Sequence, residues 1–184
     1  MLFARDTEVG LAAAAALVNT LDGDEEGLPD MAALDEFVRA WGWTGSRART
    51  DAELRSVRAL RPRLREVWTA AARDDEDRAV EIVNRILREA KALPQLAKHD
   101  EWDYHLHATT PNAPLDDRMA VEAAMAFADL IRAKELSRLR ICEYPTCDSV
   151  VVDLSKNRSK RFCDSTCGNR AAVAAYRARK AASR

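Results

Sequence analysis

The chain has no apolar run long enough to cross a bilayer. Near the start its longest run, Leu11 to Val18, is mostly alanine and falls well short of the ~20 residues a spanning helix needs. Asp6 and Glu8 precede that run, the wrong charge for the leader of a secretory signal, so a cytoplasmic protein with no membrane partner is expected. Glycine and proline are scarce, six of each in 184 residues, which excludes a low-complexity or broadly disordered chain. There is no internal repeat, and hence no sign of a solenoid. Glycine-rich nucleotide fingerprints, phosphate loops and a Ser/His/Asp order are all missing, so an enzyme is not expected. Nor is the chain basic as a whole: a net charge of -1 and a pI near 6.3 argue against a uniformly basic nucleic-acid binder.

That balance conceals two opposite parts. From Arg138 onward eleven basic residues face four acidic ones, a net +7, which leaves -8 for the first 137 residues. The shift divides the chain into an N-terminal domain, 1–137, and a C-terminal module, 138–184. Composition is 47% hydrophobic and 32% charged, rich in the helix formers Ala, Leu, Arg and Glu.

The N-terminal part reads as helices. Leu11, Ala14, Val18 and Leu21 share one side of a segment from Val9 to Leu21, and Asp22 to Pro29 reads as a polar turn. Asp30 caps a short helix that Gly42 stops, and Thr50 or Asp51 opens a longer one that Pro62 is expected to kink. A fourth helix carries Val80, Val83, Ile86, Leu87 and Ala90 as its apolar positions. Between Trp102 and Thr109 apolar and polar residues alternate as in a half-buried strand, and Leu115 to Leu136 reads as a long helix. Asn19 lies in an apolar helix and could face a pocket, lie on the helix surface or cap the core, and Trp41, Trp43, Trp68 and Trp102 could line a cavity or fill the core. His105 and His107 fall on one face of the strand, but no third ligand stands at a convincing spacing for a second metal.

The most informative residues are Cys142, Cys147, Cys163 and Cys167. Their spacing, four residues within the first pair, fifteen between pairs and three within the second, is that of two close pairs converging on one tetrahedral zinc ion. Four cysteines leave no open coordination position, so the zinc would be structural. Unpaired thiols and a redox disulfide are the other readings. Val150, Val151 and Val152 followed by the polar Ser155 to Lys160 predict a β-hairpin joining the two pairs. An alanine-rich helix begins at the second pair. The overall expectation is a mainly α fold: an N-terminal helical domain with a short strand pair, then a small zinc-bound hairpin and helix.

The tetrad Cys167, Gly168, Asn169 and Arg170 resembles the signature of the bacterial CGNR zinc-finger family. Asp153, Ser155, the basic run Lys156 to Arg161, and Phe162 beside Cys163 resemble it too, with Phe162 standing where Trp is commoner. In that family the finger follows an ABATE domain, regarded as a stress-induced transcription regulator. Leu17 to Leu21, and the strand and long helix leading to the finger, are similar to it more loosely. The resemblance implies a DNA-binding regulator.

Read from the residues alone, Arg170 and Arg177 share a helical face with Tyr176 and Lys180 beside it. Those arginines suit phosphate or guanine, and Asn169 suits adenine or phosphate. Lys156, Arg158, Lys160 and Arg161 would add phosphate contacts. DNA is therefore the expected partner, bound by a homodimer, with the N-terminal domain regulatory and open to an unidentified small-molecule effector. The rival readings are a zinc-stabilised adaptor that docks an acidic protein, and RNA binding.

Overall fold

The computed structural model describes residues 2–98 and 104–182. Six helices carry most of the chain, and three two-stranded antiparallel pairs lie among them. The mainly α expectation holds.

Helix α1 (Arg5–Val18) begins and ends earlier than the sequence pattern suggests. Glu8 Oε1 accepts from the backbone N–H groups of Leu2 and Phe3, which holds the chain as it enters the first turn. Gly10 lets α1 approach its neighbour closely, since a Cβ there would stand 3.1 Å from Ala126 Cβ. The expected polar turn contains a minimal hairpin, β1 (Leu21–Asp22) with β2 (Glu25–Glu26). Helix α2 (Met31–Ala40) starts where Asp30 accepts from the Ala33 N–H and stops at Gly42, whose φ of +67° only glycine adopts without cost.

Thr50 caps α3 (Asp51–Ala72), which runs unbroken through Pro62. The proline cannot donate to the Arg58 carbonyl four residues earlier. Arg61 Nε takes that place at 3.2 Å. Asp75 caps α4 (Glu76–Glu89), and its buried face is Ala79, Ile82, Val83 and Ile86. Val80, assigned to the apolar face from the sequence, is exposed, because it lies at the margin of the buried stripe Ala79, Ile82, Val83 and Ile86.

β3 (Gln95–Ala97) pairs with β4 (His105–His107). Of the described residues in the anticipated inward-facing set, Ala108 is buried, whereas Leu106 and Tyr104 are exposed. Trp102 and His99 lie outside the described residues. Helix α5 (Leu115–Arg132) ends four residues sooner than expected. Lys134 at φ +60° turns the chain into a single 3₁₀ turn, Leu136–Arg138.

The core lies where α1, α3, α4 and α5 meet. Trp68 of α3 stands edge-on to Phe127 of α5, with ring centroids 5.1 Å apart, and both are fully buried. Leu11, Leu60, Leu64, Ile82 and Leu130 belong to the same buried cluster, each such side chain contributing about 1.5–3 kcal/mol by leaving water.

After the 3₁₀ turn, β5 (Leu139–Ile141) pairs with β6 (Val150–Val152), and α6 (Ser165–Ala182) completes the chain. This corrects the hairpin expected from sequence. β6 pairs backward with β5, so the hairpin encloses the first cysteine pair instead of joining the two pairs. The forward arm is unsuited to a strand because Ser155 to Arg161 offer nothing apolar to bury, and this segment instead wraps round Asp153. All three valines are buried, Val150 and Val152 in the main core and Val151 against the cysteines.

Candidate metal centre and nucleic-acid interface

Two loops bring the cysteines together. Cys142 and Cys147 occupy the loop between β5 and β6, where Cys142 N–H donates to the Ser149 carbonyl at 2.9 Å and Cys147 N–H to that of Tyr144 at 2.9 Å. Cys163 follows the polar turn and Cys167 lies in the first turn of α6, whose start is capped by the Asp164 carboxylate accepting from Cys167 N–H at 2.8 Å. The four sulfur atoms all lie within 4.8 Å of one another, and Cys147 and Cys163 are 3.7 Å apart. Tetrahedral zinc with sulfur at ~2.3 Å needs sulfur separations of ~3.8 Å. The donor set therefore fits one structural zinc ion.

The local chemistry explains why a cation belongs there. Burial and the neighbouring thiols push Cys167 up to about 11 and Cys163 higher still. Cys147 is also desolvated, but hydrogen bonding at Ser149, whose hydroxyl lies 3.3 Å away, brings it below the ordinary thiol value. Four thiolates in this space repel one another unless a divalent ion neutralises them. Cys163 N–H also points at Cys142 Sγ, 3.5 Å away, a donor for a metal-bound thiolate.

The polar turn is built on one carboxylate. Asp153 is fully buried, and its oxygens accept from Ser155 N–H (3.0 Å), Ser155 Oγ (2.5 Å) and Lys160 N–H (3.0 Å). Desolvation opposes its charge, yet these donors hold its carboxyl below the usual range. Arg138, counted with the basic segment from sequence, is buried instead: Nη1 donates to the carbonyls of Asp153 and Ser155 at 2.9 Å each, and Nε pairs with Glu135 at 2.7 Å.

Side chains of α1 and α3 fasten this centre to the helical domain, and one of them, Arg65, donates from Nη1 to the Asp148 carbonyl of the ligand loop at 2.7 Å. In the β5–β6 ladder Cys142 bonds Ser149, and Asp153 N–H bonds the Arg138 carbonyl. The alternation of an antiparallel pair then turns the backbone groups of Val150 away from β5. Asn19, the residue that ends α1, meets both: its Nδ2 donates to the Val150 carbonyl at 2.9 Å and its Oδ1 accepts from the Val150 N–H at 2.8 Å. Trp68 Nε1 donates to the Val151 carbonyl at 3.0 Å. Asn19 is thus a helix-end amide acting as a neighbouring strand, and Trp68 is a core residue. Neither Asn19, Arg138 nor Asp153 was assigned these partners from sequence, although an Asn closing an apolar helix is a usable signal.

The anticipated nucleic-acid residues divide into two groups. On the polar turn Lys156, Arg158, Lys160 and Arg161 are exposed, but Arg158 pairs with Glu135 at 2.8 Å. Arg161 pairs with Glu143 at 2.7 Å and lies over the Phe162 ring. On α6 the residues Asn169, Arg170, Arg177 and Lys180 are all exposed, with Arg179 beside them. Only Cys167 of that helix is buried, so α6 stands out from the metal centre.

The architecture defines a class: a helical domain joined to a four-cysteine zinc finger. Family comparison resolves it further. Residues 11–134 match the ABATE family, described as "Putative stress-induced transcription regulator", and residues 138–180 match the CGNR zinc finger. The chain belongs to the ABATE family and carries a CGNR zinc finger at its C-terminal end. No curated protein matches it. Among the described residues no helix is long and apolar enough to cross a membrane.

Proposed function

We propose that the protein is a DNA-binding transcriptional regulator, not an enzyme, in which α6 and the polar turn contact the duplex and the N-terminal domain regulates. The observation that carries this reading is α6 itself. It is 18 residues long, about 27 Å at 1.5 Å per residue, is anchored at one end by a zinc ligand, and is exposed from Asn169 to Ala182 apart from the half-buried Ala171. A protruding helix of that size fits the major groove, where arginine reads guanine bidentately. Arg170 and Arg177, seven residues apart, supply two contacts on one face. The turn lysines, Lys156 and Lys160, add phosphate contacts, whereas Arg158 and Arg161 would first have to leave Glu135 and Glu143. One small module binds modestly, so two copies acting as a dimer suit a specific site.

The experiment compares duplex affinity of the zinc-loaded protein with that of Arg170→Ala and Arg177→Ala. Each substitution should weaken binding by about 1–3 kcal/mol if it reads a base, with zinc content unchanged. Affinity equal to the parent protein for both variants would refute the role given to α6. The adaptor reading draws on Val173 and Tyr176, which lie exposed on the same helix. It predicts no measurable duplex binding by the parent protein.

A further inference from the structure

A partly open cavity of about 800 Å³ lies against α1 and α5, bounded on other sides by the segment after α2 and by β3 and β4. That volume is in the range of small-molecule sites. Trp41 and Trp43 line it, so two of the four tryptophans are wall residues. Val9, Ala13, Leu106 and Met125 supply further apolar surface.

One wall residue is unusual. Arg118, in the first turn of α5, is only 4% exposed. Its Nη1 donates to three carbonyls, those of Ser46 (2.9 Å), Pro111 (2.8 Å) and Ala113 (3.0 Å), which fix the guanidinium plane. Its Nε and Nη2 are buried with no hydrogen-bond partner. Trp43 Nε1, also in the wall, is buried without one as well. Buried donors left unbonded cost about 1–3 kcal/mol each, more on a charged group. All three belong to residues that line one cavity, Arg118 and Trp43, although the atoms themselves are closed to solvent; a small shift of either side chain opens them to an acceptor that comes from outside the chain.

The geometry selects the acceptor. Nε and Nη2 form the side edge of the guanidinium, whose two parallel N–H groups match the two oxygens of a carboxylate. The wall also holds Asp6, Glu122 and Asp129. Asp129 accepts from Thr7 Oγ1 at 2.8 Å, and Glu122 lies 3.6 Å from His107 Nδ1. These acids repel a multiply charged phosphate far more than a single carboxylate.

We propose that this cavity binds a small organic monocarboxylate, its carboxylate held by the Nε and Nη2 edge of Arg118 with Trp43 Nε1 as a further donor. Its apolar body lies against Val9, Ala13 and Met125. This deepens the regulatory role proposed for the N-terminal domain, but the binding itself requires no DNA. The route to the finger is short: α1 ends at the Asn19 clamp on β6, and α5 leads through the 3₁₀ turn into β5. A ligand between the two helices is placed to bias the hairpin, and coupling of that kind acts in both directions.

The test uses the full-length, zinc-loaded protein labelled with ¹⁵N, following the Arg118 Nε–H and Trp43 Nε1–H signals. Benzoate and hexanoate are the acid probes, with benzamide and inorganic phosphate as controls. At least one acid should shift both signals to saturation at millimolar concentration, while benzamide and phosphate leave them in place. Arg118→Lys, checked for melting temperature and zinc content, should weaken that acid on the order of tenfold, since lysine keeps the charge but loses the fork. If neither acid shifts the signals at millimolar concentration, or benzamide shifts them equally, the proposal is overturned. The spectra of the parent protein decide this even if the variant fails to fold. Failure of the parent protein to bind duplex DNA would remove the regulator reading and leave carboxylate binding standing.

Discussion

Replacing Asn19 with alanine should loosen the junction between the helical domain and the finger. The side chain gives and takes one hydrogen bond with Val150, at 2.9 and 2.8 Å, and Val150 is 1% exposed. Its N–H and carbonyl face away from β5, so no strand neighbour takes over. A buried backbone group stripped of its partner costs about 1–3 kcal/mol. Two such groups, with water reaching part of the gap left by a half-buried side chain, bring the expected loss to about 2–4 kcal/mol. That is a large share of a typical stability of ~5–15 kcal/mol, and for a chain of this size it lowers the melting temperature by roughly 4–15 °C. Asn19→Asp keeps the shape and the acceptor but sets a carboxylate oxygen against the Val150 carbonyl, so it should cost at least as much. Both variants should also release zinc to a chelator faster than the parent protein, because the ligand loop hangs from β6. The assay is urea and thermal unfolding with chelator-monitored zinc release. Losses within about 0.5 kcal/mol for both variants, with unchanged release, would refute the claim that Asn19 fastens the finger to α1.

Zinc removal should have a divided effect. The polar turn and α6 lose their anchor, whereas Val150 and Val152 remain buried in the main core. Hydrogen exchange on chelated protein should therefore show lost protection across 153–170 with the amides of β6 still protected; uniform loss through the N-terminal domain would contradict this. Glu26 provides a pH test. Hydrogen bonds from Arg61, whose Nη1 and Nη2 each reach a carboxylate oxygen at 2.7 Å, bring its carboxyl from 4.5 down to about 2. A carboxyl lowered on folding adds stability that is complete above its unfolded value and is lost as pH falls from about 4.5 toward 2. Glu26→Gln should cost about 1–3 kcal/mol at neutral pH, since Arg61 is left buried with a weaker partner. The cost should shrink through that acid window in unfolding measurements, and a cost independent of pH would be evidence against the pairing.

Features set by neighbouring residues were legible in the sequence. Asp30 and Thr50 each cap the helix that follows, because a side-chain oxygen reaches a backbone N–H three residues on wherever it stands. The cysteine pairs were legible for the same reason, as each pair sits in one short loop. What escaped depends on distant partners. Leu139 to Ile141 drew no strand reading, because the strand partner comes nine or more residues later. Asn19 finds Val150 across 131 positions, and its place at the end of an apolar helix marks it as unusual without naming that partner. Arg138 was grouped with the DNA-facing charge, but the turn it bolts together buries it. Arg118 left a fainter trace: with Glu122 it lies at the same helical spacing as Leu115, Met119 and Ala126, a charged pair on an otherwise apolar face. Whether such a charge is paired internally or lines a cavity is decided by packing that the sequence does not display.

The most direct test of the central claim is binding of the full-length, zinc-loaded protein to random-sequence duplex DNA at several salt concentrations, with zinc measured on the same sample. The account predicts one zinc per chain and an affinity that falls steeply as salt rises, by roughly one power of the salt concentration for each phosphate neutralised. One zinc per chain with no measurable binding at low salt would contradict the DNA-binding role, leaving α6 as a surface for a protein partner.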